Sequence, residues 1–167
     1  SADAFIYSAD DDMTRQMLDK MDSSLRARQL PFAINTAIAS GDGDAVLEGY
    51  TFTASVGKQS VTIDTRKMQI HGMHNIYNAM AAALATLAAG VEPRVIKRSI
   101  YDFSPVEHRL EPAGERNGIR WINDSKATNV DSVWYALESM QQPTVWIAGG
   151  TDKGNDYTPL KEFARRK

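Results

Sequence analysis

Seven consecutive residues carry the densest chemistry in this 167-residue sequence: Asn123, Asp124, Ser125, Lys126, Ala127, Thr128 and Asn129. Asp124 offers a carboxylate, Lys126 an ammonium, and Ser125 and Thr128 hydroxyls. A lysine beside a hydroxyl suits an anionic ligand such as a phosphate or a carboxylate. An aspartate in the same turn suits a ribose hydroxyl. Lys153 follows the glycine pair Gly149 and Gly150 and supplies a second cation for the same class of ligand. Asn75 and Asn78 stand three apart where an alanine-rich helical stretch begins, on one face of its first turn. Asparagine presents both a donor and an acceptor, the combination that reads an adenine edge. Capping the helix would account for one of these asparagines and leave the other unexplained.

The elements that must position these groups follow from hydrophobic spacing. Residues 119–122 read as a strand, and Val130, Val133, Trp134, Leu137 and Met140 recur at helical spacing. The polar run therefore sits in a strand-to-helix turn, where open α/β sheets meet their ligands. Residues 110–113 pair with 119–122 as a hairpin around Asn117 and Gly118. Residues 144–148 read as a buried strand that ends at the glycine turn. Thr158 is expected to cap the last helix, with Pro159 at its first position. Asp124, Lys126, Thr128 and Lys153 are thus expected to converge on one crevice.

Upstream, residues 4–7 and 30–35 read as strands. Residues 49–55 and 59–65 read as an antiparallel pair, and 67–70 as one more strand. Gly41 to Asp44 is taken as a plain turn. A helix is expected over 13–25, with Met13, Met17, Met21 and Leu25 facing the core. Asp10, Asp11 and Asp12 read as a solvated turn and helix start rather than a cation site. His71 and His74 lack a third ligand nearby, so surface or capping roles are preferred to metal binding. A long helix ends at Gly90, and Pro93 opens the next. The periodicity breaks over 102–109. A domain boundary is placed there, giving residues 1–106 and 107–167.

The totals exclude several classes. A hydrophobic fraction of 43% and a charged fraction of 24% call for a packed core. A net charge of −2 gives no reason to invoke nucleic acid or anionic lipid. The absence of cysteine removes disulfides, thiolate metal sites and a cysteine nucleophile, and it suits a cytoplasmic protein. The most apolar stretch, 79–91, is too short to span a bilayer. With a strand near its first residue and a helix in progress at its last, the sequence reads as a piece of a longer protein.

Taken with their order along the chain, these residues resemble the Mur ligase family in its D-glutamate-adding (MurD) type. The run 123–129 matches that type's signature. The helix opening with His74, Asn75 and Asn78, the pair His108 and Arg109 followed by Leu110 and Glu111, and the set Gly149, Gly150 and Lys153 fall in the family's order. The resemblance implies an α/β fold: part of a central ATPase-type domain, a mixed sheet with helices, followed by the first strands and helices of a Rossmann-like C-terminal domain. It implies ATP and Mg2+ as cofactors, with the main metal ligands outside this chain. Its implied substrates are UDP-N-acetylmuramoyl-L-alanine and D-glutamate, joined through an acyl phosphate in peptidoglycan precursor synthesis. By the same resemblance Asn75 and Asn78 contact adenine, His108 and Arg109 lie at a hinge and help bind ATP, and Asp124 holds the ribose. Lys126 and Thr128 serve the phosphate and D-glutamate side as the catalytic residues, and Lys153 binds a D-glutamate carboxylate. A monomeric cytoplasmic enzyme is implied, whose phosphate loop lies upstream, so this chain alone is expected to be inactive. Glu107 departs from the proline common before His-Arg in the family. The alternatives are another amide ligase of the superfamily and a non-catalytic nucleotide-binding module.

Overall fold

The computed structural model describes residues 3–21, 25–38, 41–104, 106–151 and 153–166. Residues 22–24 of the expected first helix, Pro105 of the boundary stretch, Asp152 of the glycine turn and the terminal Lys167 lie outside the described residues. The chain forms two compact units. One comprises Ser1–Gln69 and His74–Phe103, and the other Ile70–Met73 and Ser104–Lys167.

The first unit is built on a five-stranded sheet in sequence order: β1 (Ala4–Ser8), β2 (Arg28–Ala33), β3 (Gly43–Glu48), β4 (Thr51–Val56) and β5 (Gln59–Asp64). β1, β2 and β3 run parallel, and β4 and β5 are antiparallel to their neighbours. Alternation along β4 buries Phe52, Ala54 and Val56 on one face and leaves Thr53 exposed on the other. There Thr53 meets the Thr62 hydroxyl of β5 at 3.1 Å. Two helices complete the core, α2 (Met73–Ala88) with Met80, Ala83, Leu84 and Leu87, and α3 (Pro93–Asp102) with Ile96. Among the described residues no helix is long and apolar enough to cross a membrane.

The turn expected at 41–44 is in part a strand. Gly43 begins β3, and a Cβ there would stand 2.3 Å from the Ser55 carbonyl oxygen. Glycine permits this close approach of two strands, so a residue that reads as a turn signal marks a strand start. Residues 67–70 form no strand. Asp64 accepts the Arg66 N–H and starts a 3-10 turn, Thr65–Lys67, after which Met68 is buried at 2% exposure. The end of α2 agrees with expectation: Gly90 adopts a φ of 81°, and Val91 N–H reaches the Thr86 carbonyl at 2.9 Å.

The methionine stripe does not face the core. It lies on α1 (Asp12–Met21), which has no buried residue, and Met13, Met17 and Met21 are 71%, 57% and 45% exposed. Helical spacing identifies an apolar face, but whether that face is covered depends on what packs against it.

The acidic turn before α1 divides its work. Asp11 accepts the Thr14 N–H at 2.6 Å, a helix cap. Asp10 reaches much further along the chain. It accepts the Ile34 N–H at 2.6 Å, the Asn35 N–H at 3.1 Å and the Tyr77 hydroxyl at 2.6 Å, tying the end of β2 to α2. Burial pushes the Asp10 carboxyl upward, but hydrogen bonds from Ile34, Tyr77, Thr36 and Asn35 outweigh it and bring the pKa from 3.8 to about 2. A depressed folded-state value stabilises the fold above the ordinary carboxylate range, and this contribution is lost as pH falls through about 2. Asp10→Asn presents an amide NH2 to these donors. At neutral pH it is expected to destabilise by about 1 kcal/mol, a modest figure because Asp10 is only half-buried. The difference from wild type should shrink between pH 4 and pH 2, roughly the window set by the two values. Urea midpoints across that range check this, and a pH-independent difference would refute it.

The second unit contains a hairpin, β6 (Glu111–Arg116) and β7 (Ile119–Asn123), then α4 (Val130–Ser139), a 3-10 turn at Thr158–Leu160 and α5 (Lys161–Arg166). Asn117 and Gly118 turn the hairpin with φ of 54° and 75°. Leu137 and Leu160 are buried, and Trp134 meets Phe163 edge-on with centroids 5.1 Å apart. The expected buried strand at 144–148 is absent: Val145 and Ile147 are 89% and 79% exposed and the segment pairs with no strand. A strand needs a neighbour to take its N–H and C=O groups, and among the described residues it has none. Thr158 does not cap the last helical segment. Tyr157 stands at the cap position of the 3-10 turn with no side-chain cap bond, and Asp156, one residue earlier, accepts the Thr158 N–H at 2.9 Å.

Candidate functional site

The polar run 123–129 leaves β7 at Asn123 and enters α4 at Asn129. Asn129 caps that helix by accepting the Ser132 N–H at 2.8 Å. Both ends of the run are therefore held by regular structure. Between them the chain folds back on itself, with Ala127 N–H bonded to the Asp124 carbonyl at 2.9 Å.

The same run is clasped to the stretch that carries His108 and Arg109. Lys126 N–H donates to the His108 carbonyl at 3.1 Å, and Leu110 N–H donates to Asp124 Oδ1 at 3.0 Å. Asn123 Nδ2 lies 2.8 Å from His108 Nδ1 and 3.1 Å from Glu111 Oε2. Glu111 Oε2 also accepts the His108 backbone N–H at 2.9 Å. These bonds hold an unusual backbone. His108 and Leu110 sit at φ of 65° and 45°, in the left-handed region that costs a non-glycine residue about 1–2 kcal/mol. Such conformations persist where surrounding contacts over-determine them, and they concentrate at functional sites.

The arrangement brings Asp124, Lys126, His108 and Arg109 into one hydrogen-bonded locality. Asp124 is half-buried, while His108, Arg109 and Lys126 are exposed. Thr128 and Lys153 are also exposed, and among the described residues no hydrogen bond or ion pair joins either of them to the clasp. In the first unit, the two asparagines of α2 differ in access. Asn75 is buried at 8% exposure and Asn78 is exposed. Only Asn78 presents its amide openly.

Sequence reasoning assigned no role to Glu111 or Asn123, although both stand in the runs that drew attention. The available signal was a polar residue at each end of an otherwise pairing hairpin. Nor did it anticipate the bond between Asp10 and Tyr77, residues 67 apart in the chain. Among the described residues, no three His, Cys, Asp or Glu side chains are grouped so as to hold a metal ion.

Over its whole length the chain is 41% identical to the UDP-N-acetylmuramoylalanine--D-glutamate ligase of Bacteroides fragilis. The chain belongs to the Mur ligase family. A ligase of the same name from Christiangramia forsetii is 40% identical over 165 residues. The chain spans about a third of these relatives' length, 36% in both cases. Solved Mur ligases share the fold. MurF from Acinetobacter baumannii aligns over 83% of this chain and 29% of its own, with TM-score 0.59 and 21% identity. A pseudomurein peptide ligase type C from Methanothermus fervidus aligns over 83% and 34%, with TM-score 0.60 and 16% identity. No protein-family model matches the chain. In this Mur ligase chain, the clasp joins the two stretches, 108–111 and 123–126, that carry much of the resemblance.

Proposed function

We propose that the protein to which this chain contributes adds D-glutamate to UDP-N-acetylmuramoyl-L-alanine in an ATP-driven ligation, as a monomer in the cytoplasm. The observation that carries the reading is the 41% identity along the entire chain to a ligase named for that reaction. The chemistry of the clasp is consistent with it. Asp124 offers a half-buried carboxylate for a ribose hydroxyl, and Lys126 and Thr128 offer a cation and a hydroxyl to transferring phosphate and to D-glutamate. His108 and Arg109 add donors for the nucleotide. Lys153 is assigned to a D-glutamate carboxylate and Asn78, with Asn75 behind it, to adenine. Residues 1–106 form part of the ATP-binding domain, and 107–167 begin the ligase domain. These side chains bind and orient, and they oppose the negative charge that spreads as phosphate is transferred. The described residues supply no ligand set for Mg2+.

The test is phosphate release by the full-length gene product with ATP and UDP-N-acetylmuramoyl-L-alanine, scanned over amino acids. Turnover is expected with D-glutamate and at least ~10²-fold less with L-glutamate, since a site built around specific polar groups rejects a misplaced one. Preference for another amino acid, or for a folate acceptor, would replace this reading with another amide ligase. Nucleotide binding without turnover would make the protein a binding module.

A further inference from the structure

We propose that Asn123 and Glu111 are positioning residues that hold His108 as the neutral Nε2–H tautomer, so that its outward nitrogen is a hydrogen-bond donor for an anionic ligand. The role of the outward nitrogen rests on the reading of His108 as a nucleotide contact; the tautomer itself does not.

Asn123 decides the matter through its own orientation. Its Oδ1 accepts the Ser125 N–H at 3.2 Å, which identifies the oxygen side of the amide. The NH2 side then faces His108 Nδ1 at 2.8 Å and Glu111 Oε2 at 3.1 Å, one hydrogen for each. A ring nitrogen that receives an N–H is the one bearing the lone pair, so the ring proton sits on Nε2. The rival arrangement, Nδ1–H donated to Glu111, loses on two counts. The Nδ1 to Oε2 distance is 3.5 Å, beyond the usual N–H···O range. It would also require turning the Asn123 amide, which would set its NH2 against the Ser125 N–H.

Glu111 contributes at the backbone. Its Oε2 accepts the His108 N–H at 2.9 Å and the Asn123 NH2 at 3.1 Å, so one carboxylate oxygen aligns both the ring's partner and the left-handed backbone that carries the ring. On the outward side, Nε2 lies 3.8 Å from Glu107 Oε1, and both side chains are largely exposed. That distance exceeds a hydrogen bond, so the Nε2–H is directed to solvent or to a ligand. A neutral donor recognises a phosphate or carboxylate oxygen without needing a protonated ring.

The experiment is a long-range proton–nitrogen correlation spectrum of the 15N-histidine-labelled chain at about pH 8, above the ordinary histidine range. His108→Gln identifies the His108 signals by their loss. The wild type is expected to show Nε2 protonated and Nδ1 bare. Asn123→Asp, which sets a carboxylate against Nδ1, is expected to move the proton to Nδ1, with circular dichroism reporting that the variant is folded. A wild-type spectrum with Nδ1 protonated overturns the proposal without any variant. So does a folded Asn123→Asp protein whose His108 pattern is unchanged. Adding ATP to the full-length protein tests the other reading separately: an unmoved Nε2 signal removes His108 from the nucleotide site, while the tautomer stands on the spectra above.

Discussion

Asp124→Ala in the full-length protein is expected, on the proposed ligase reading, to lower kcat/KM for ATP by at least ~10²-fold, because one substitution removes two functions of the same carboxylate. Its Oδ1 holds the Leu110 N–H at 3.0 Å and thereby helps keep Leu110 at a φ of 45°. Without that acceptor, the strained 108–110 backbone loses one of the bonds that over-determine it, and His108 and Arg109 shift with it. The second function is the hydrogen bond proposed to a ribose hydroxyl. A bond to a charged group contributes about 1.5–3 kcal/mol, or roughly 10- to 100-fold in affinity. Asp124→Asn separates the two. Its side-chain oxygen can still accept from Leu110, so thermal stability should stay near wild type while KM for ATP rises about tenfold. Steady-state kinetics and melting curves of both variants make the check. Wild-type kcat/KM in Asp124→Ala would remove Asp124 from the site.

Phe52→Ala is expected to have the largest effect on stability, about 3–5 kcal/mol. Phe52 is fully buried in β4 and stands opposite Leu47 of β3 and Ile63 of β5. Truncation removes apolar area and leaves a void lined by neighbours that two strand ladders hold in place, so the site cannot collapse to fill it. Against a typical domain stability of roughly 5–15 kcal/mol, this brings the five-stranded unit near its unfolding threshold. The urea midpoint by far-ultraviolet circular dichroism should fall steeply. A midpoint within error of wild type would mean that Phe52 is not the packing centre it forms here.

The contrast between two apolar stripes shows what a sequence carries. Tyr50, Phe52, Val61 and Ile63 alternate along paired strands, and all but Tyr50 are buried; Met13, Met17 and Met21 recur at helical spacing, and their face is open. Both patterns were legible, because periodicity is a local property of the chain. Burial was not, because it belongs to the neighbour that arrives. The same distinction explains residues 144–148, whose composition is that of a buried strand but which pair with nothing among the described residues. It explains Gly43 too: its role follows from the Ser55 carbonyl beside it, which no local reading of a Gly-Asp pair contains.

By itself, the sequence determined the α/β class, the long helix closed by Gly90, the Asn117-Gly118 hairpin and the strand-to-helix turn that carries Asp124 and Lys126. Each depends on spacing or on a turn residue's allowed φ, which are short-range matters. Only the tertiary structure decided which groups meet. It brought 108–111 against 123–126, gave Asp124 the Leu110 N–H to hold, set Asn123 between His108 and Glu111, and joined Asp10 to Tyr77. Those contacts arise from the path of the backbone between distant segments, and hydrogen-bond partners are fixed by position in space rather than by residue type.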